Sequence, residues 1–110
     1  MSKKRLELIL EMLEKDPNDN FLIYAAALEY QKAGDEKNAV VHLEKLTKNF
    51  PDYLGAYYTL GKIYENTGEF DKAVSTYKKG KEIAKKHKDE KTIGELTEAL
   101  MLLDDEEDNW

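Results

Sequence analysis

Cysteine is absent from this 110-residue chain. Disulfide staples, thiolate metal sites, thiol nucleophiles and thiol redox couples are thereby excluded, and nothing asks for an oxidising compartment. A chain of this length can bury a core without metals or cross-links. Long apolar runs are missing as well. The longest nearly apolar stretch, Phe21 to Leu28, is far too short to span a bilayer. The basic opening Ser2-Lys3-Lys4-Arg5 precedes a Leu6 to Leu13 stretch broken by Glu7 and Glu11, the pattern of a helix face and not of a secretory signal. A soluble, cytoplasmic protein with no membrane partner is expected.

Positive charge is the scarcer sign, with 17 Lys and Arg against 23 Asp and Glu and a net charge of -6. Such a surface repels a phosphate backbone, so no nucleic-acid partner is expected. The one basic cluster, Lys78, Lys79, Lys81, Lys85, Lys86 and Lys88, has only Tyr77 interleaved with it and reads as a solvated helix face that places cations near a helix C-terminus. Catalytic constellations are lacking too. His42 and His87 fall on different helices, no Ser or Lys stands beside a recognisable base, and there is no glycine-rich phosphate cradle. The acidic run Asp104 to Asp108 lacks the glycine turn and spaced ligands of a calcium loop. No enzyme activity, cofactor or metal is expected.

Breakers are few, with two prolines and six glycines, and they punctuate the chain in phase. Apolar residues recur at helical spacing and no stretch alternates with period two, so the fold class is all-α. Helices are expected over about 3–15, 20–33, 36–49, 54–67, 70–86 and 90–103. Proline disfavours α geometry in the preceding residue, which ends the first helix before Pro17 and the third before Pro51. Gly34 and Gly68 suit the left-handed position that closes the second and fourth. The sixth helix is expected to turn Ile93, Leu96, Leu100 and Leu103 to one face.

Shifted by 34 residues, the chain falls on itself: Pro17 on Pro51, Tyr24 on Tyr58, Tyr30 on Tyr64, Gly34 on Gly68, Ala39 on Ala73 and Val40 on Val74. A repeat of this kind is one supersecondary unit that must stack on a copy of itself to bury its apolar face. Ala27 and Gly61, like Ala39 and Ala73, are small where paired helices approach closely, while Tyr30 and Tyr64 can fill the space beside them. Helix six repeats the spacing of Tyr57, Leu60 and Tyr64 at a shift of 36, which implies two added residues at the end of helix five.

The second unit, Tyr57-x2-Leu60-Gly61-x2-Tyr64, then Gly68, then Ala73-x3-Tyr77, resembles the tetratricopeptide repeat. The first reads Ile23-x2-Ala26-Ala27-x2-Tyr30, Gly34, Ala39-x3-Leu43, Pro51. Gly80 stands where that family usually has alanine, and the second unit lacks a closing proline. The resemblance implies a short right-handed α-solenoid of antiparallel helix pairs with about six helices. Residues 1–103 would form a single domain, with repeats at about 20–51 and 54–87, flanking helices 3–15 and 90–103, and an acidic, disordered tail at 104–110. Helix six is expected to cap the array.

The resemblance also implies that the first helix of each pair lines a concave groove that binds a peptide or helix of a protein partner. The positions pointing there are Phe21, Tyr24, Leu28 and Gln31 on helix two, Tyr58, Lys62 and Glu65 on helix four, and Met101 on helix six. Tyr24 and Tyr58 fit either this groove or the seam between helices. The Lys, Asn and Arg clamp that some members use for a C-terminal carboxylate has no counterpart among Tyr24, Leu28, Thr59 and Lys62. A non-enzymatic adaptor is the expected function; the alternative is a structural or self-assembly module pairing through its end helices, helix one above all. A monomer is expected, with a homodimer as the other possibility. Trp110, behind five acids, is either an incidental feature of a frayed tail or a docking motif for another protein or for this protein's own groove.

Overall fold

A computed structural model describes residues 2–107, with side chains described over 4–103. Of the expected disordered tail, 104–110, residues 104–107 instead continue the last helix, and 108–110 with Trp110 lie outside the described residues. Six α-helices and no strand occur among the described residues: α1 (Ser2–Lys15), α2 (Asn20–Lys32), α3 (Glu36–Asn49), α4 (Gly55–Asn66), α5 (Phe70–Lys86) and α6 (Glu90–Glu107). The last runs to Glu107, past the end expected at Leu103. The chain divides into two compact units at Tyr53 and Leu54, the first holding α1 to α3 and the second α4 to α6.

The helix ends follow from local chemistry. Asp19, Asp35 and Asp89 each accept a hydrogen bond from the backbone N–H three residues on, at Leu22, Asn38 and Thr92, all at 3.1 Å. These side chains satisfy donors that the first turn of a helix leaves orphaned. At the end of α2 the Gly34 N–H donates to the Gln31 carbonyl at 3.0 Å and the Asp35 N–H to Tyr30 at 2.9 Å. The same pair of bonds recurs after α4, from Gly68 to Glu65 at 3.1 Å and from Glu69 to Tyr64 at 2.8 Å. Such a closure needs a left-handed residue, and Gly34 and Gly68 stand at φ 83 and 81°. After α5 it occurs a third time, with Lys88 at φ 57° in the glycine's place. The α5–α6 connection thus copies the turn inside a helix pair, not the proline turn between pairs.

In the first unit α2 packs against both α1 and α3. Its buried apolar residues are Leu22, Ile23, Ala26 and Ala27 from α2 and Ala39, Leu43 and Leu46 from α3. In the second unit α5 packs against both α4 and α6. There Ala56, Tyr57, Leu60, Ile63 and Tyr64 are buried along α4, and Ala73, Tyr77 and Ala84 along α5. A Cβ on Gly61 would collide with the Tyr77 ring, and one on Gly80 would lie 2.6 Å from the Tyr57 Cβ. The departure from alanine at Gly80 therefore has a steric cause: Tyr57 and Leu96 occupy the space.

Along α6 the buried residues are Leu96, Ala99 and Leu103, whereas Ile93 and Leu100 are half-buried. The Leu96 Cδ1 sits against Gly80, 3.1 Å from where its Cβ would be. Tyr30 is half-buried beside the His42 ring at 5.1 Å, while its counterpart Tyr64 is buried. At 17 residues against 14 in α3, α5 is longer by three residues where two were expected.

Candidate functional site

Phe21, Tyr24 and Leu28 recur at three- and four-residue steps, so they share one face of α2. Ile23, Ala26 and Ala27 take the helix's core-facing side. The structure gathers all three into a groove of about 340 Å³ that α1 completes with Arg5 and Ile9. Phe21 is 68% exposed; Tyr24 and Leu28 are half-buried. Tyr24 also meets Tyr53 at 5.2 Å between ring centroids, so groove and seam are both served by one ring. Gln31 is half-buried and does not line the groove.

One edge of the groove is ionic. Glu29 is 5% exposed, the one buried charged residue among those described. Its Oε2 pairs with Arg5 Nε at 3.4 Å and with Lys32 Nζ at 3.5 Å. Two cations on one carboxylate leave the edge with a net positive charge. Sequence reasoning missed this cluster, although a signal existed. Glu29 continues the buried stripe Leu22, Ala26 at helical spacing, and 34 residues on the same slot holds the buried Ile63.

In the second unit Tyr58, Lys62 and Glu65 come together on one face of α4. Lys62 Nζ lies 5.4 Å from the Tyr58 ring centroid and 3.7 Å from Glu65 Oε2. The Tyr77 hydroxyl of α5 donates a hydrogen bond to the same Glu65 oxygen, and the Tyr58 and Tyr77 rings are 6.2 Å apart. Burial, reinforced by the neighbouring Glu65 carboxylate, pushes the Tyr77 phenol far above its ordinary range. Tyr58 remains 38% exposed. Met101, on α6, is 60% exposed next to the exposed Leu102.

A larger cavity of about 470 Å³ lies where α1, α2 and α3 meet, walled by Leu10, Leu13, Pro17, Ile23 and Val41. His42 borders it with its Nδ1–H donating to the Asn38 carbonyl at 2.9 Å. Glu14 and Lys45 complete its polar rim. No group of three His, Cys, Asp or Glu placed to hold a metal ion occurs among the described residues. No described helix is long and apolar enough to cross a membrane.

The sequence matches the tetratricopeptide repeat family twice, over residues 21–53 and 54–87, and the two matches meet where the compact units do. A TPR repeat-containing protein of Pseudomonas aeruginosa is 28% identical over 99 residues, covering 90% of this chain and 94% of that protein. Another, from Methanocaldococcus jannaschii, is 35% identical over 74 residues, 67% of this chain but only 23% of the longer relative. Among solved structures, the crystal structure of a tetratricopeptide repeat domain protein from Salinibacter ruber superposes with a TM-score of 0.75 at 37% identity. That match covers 79% of this chain and 97% of the other.

Proposed function

From a chain that belongs to the tetratricopeptide repeat family, we propose a cytoplasmic, non-catalytic adaptor that binds a peptide or helix of a protein partner through the first helix of each pair. Repeats of this family mediate protein–protein interaction. The observation that carries the reading is the placement of Phe21, Tyr24 and Leu28, apolar side chains held in an open groove on the side of α2 that its core does not use. Rigid aromatic anchors in a concave site, rimmed by charge, supply contact area at little cost in conformational entropy. Tyr58 offers a like anchor on α4, with Lys62 and Glu65 beside it.

The test replaces Tyr24 and Tyr58 together with alanine and compares the proteins captured by the variant and by the parent chain. Loss of the captured partner with an unchanged helical circular dichroism spectrum supports the adaptor. An unchanged partner with the fold intact removes these faces from consideration.

A second reading has its own observation. Leu8 and Met12 on α1 are 54% and 52% exposed, an apolar face suited to pairing through an end helix. Sedimentation of Leu8→Ser/Met12→Ser against the parent decides it, since pairing through α1 requires the parent to self-associate and the variant not to.

A further inference from the structure

The ionic edge of the α1–α2 groove narrows what can occupy it. Apolar walls from Phe21, Tyr24 and Leu28 end at Arg5, Glu29 and Lys32. Glu29 is buried under both cations, whereas the Arg5 and Lys32 side chains are 73% and 64% exposed. They can therefore face a ligand without giving up the internal pair. At about 340 Å³ the space lies at the small end of ligand sites, which span roughly 300–1,000 Å³, and suits one large side chain. A complementary ligand has an aromatic anchor with carboxylates next to it in sequence.

This chain carries such a segment. Asp104-Asp105-Glu106-Glu107-Asp108-Asn109-Trp110 joins five acids to the only tryptophan in the sequence. We propose that the 104–110 segment of one copy docks in the α1–α2 groove of a second copy, with Trp110 against Phe21, Tyr24 and Leu28 and the acids facing Arg5 and Lys32. Pairing between copies asks nothing of how far the segment reaches within its own chain. The arrangement is heterologous, so each pairing leaves one free groove and one free segment, and short head-to-tail assemblies form. An external partner then competes with the segment for the groove. The inference rests on the reading of that groove as a ligand-binding surface and adds its resident competitor.

The segment holds the sole tryptophan, which makes binding directly visible. The full chain carrying Trp110→Ala, which then has no indole of its own, is titrated into a synthetic peptide spanning residues 103–110, and the indole emission is followed. Docking predicts a saturable blue shift. Added salt weakens it, because the acids face exposed cations. Phe21→Ala in the protein is expected to weaken it ~10-fold, as for loss of an aromatic anchor. Replacing the peptide's acids by their amides should weaken it by a similar factor, and a Trp110→Ala peptide, labelled with a dye, should not bind. These changes lie on an exposed side chain or on the peptide, so folding is untouched. In sedimentation the parent chain should self-associate at low salt and the Trp110→Ala chain should not.

No saturable shift at millimolar peptide overturns the proposal, as does binding indifferent to both Phe21→Ala and the amide peptide. A full chain that stays monomeric above the peptide's dissociation constant overturns docking between copies. If the peptide fails while Tyr24→Ala/Tyr58→Ala still loses an external partner, the adaptor reading stands and only this inference falls.

Discussion

The Cβ of Tyr57 occupies the place against which any side chain at Gly80 would press, 2.6 Å from where a Cβ would start. Gly80→Ala gains helix propensity of up to about 1 kcal/mol. It also forces α4, α5 or the Leu96 contact to move, at a cost of ~1–3 kcal/mol typical of overpacking. The net expectation is destabilisation. Gly94 is the internal control, since a Cβ there meets nothing within 4 Å. Gly94→Ala should stabilise by about 0.5–1 kcal/mol on propensity alone. Urea unfolding of the two variants should move in opposite directions.

Lys88 closes α5 at φ 57°, where Gly34 and Gly68 close the helices before it. A left-handed conformation costs a residue with a Cβ ~1–2 kcal/mol, a cost that glycine avoids. Lys88→Gly is expected to raise the unfolding free energy by about 0.5–1 kcal/mol, the gain being trimmed by glycine's greater freedom when unfolded. Gly34→Ala, with open space around it, should lower it through backbone strain alone. The check is the thermal midpoint of each variant beside the parent.

Acid should loosen the helix starts. Asp35 is held below the ordinary carboxylate range by the Asn38 side-chain amide, 2.7 Å away, and by the Asn38 backbone N–H. The Thr92 N–H lowers Asp89, and Lys72 and Thr67 lower Glu69. A carboxyl depressed in the folded state binds fewer protons there than in the unfolded state. Its contribution is complete above the unfolded value, about 4, and is lost as pH falls through the folded one. The thermal midpoint should therefore fall as pH drops below about 4, into the range of depressed carboxyls. Asp89→Asn keeps a good cap but cannot titrate. It should flatten that acid limb while leaving the neutral-pH midpoint nearly unchanged.

The repeat and the helix ends were legible because they are written in local chemistry: Pro17 and Pro51 as stops, Gly34 and Gly68 as left-handed closures. The close approach of α6 to α5 was not. Leu96 comes close to α5 where Gly80 leaves room, a relation between residues far apart in sequence that spacing within one helix does not reveal. Phe21, Tyr24 and Leu28 were placed on a common face by helical spacing, and the groove gathers them. Two partners stayed hidden for the same reason as that approach. Tyr53 lies in a connection with no periodic pattern, and Arg5 reaches Glu29 from another helix.

The central claim is that the exposed face of α2, and not another surface of the same unit, meets the partner. Site-specific photo-crosslinking tests it most directly, with a photoreactive residue at Phe21 in one protein and at Val41, beside the larger cavity, in another. Phe21 and Val41 are 68% and 54% exposed, so both probes are accessible. The account predicts a discrete crosslinked partner from position 21 that disappears when Tyr24→Ala is added, and none from position 41. Crosslinking from position 41 with none from position 21 would contradict it.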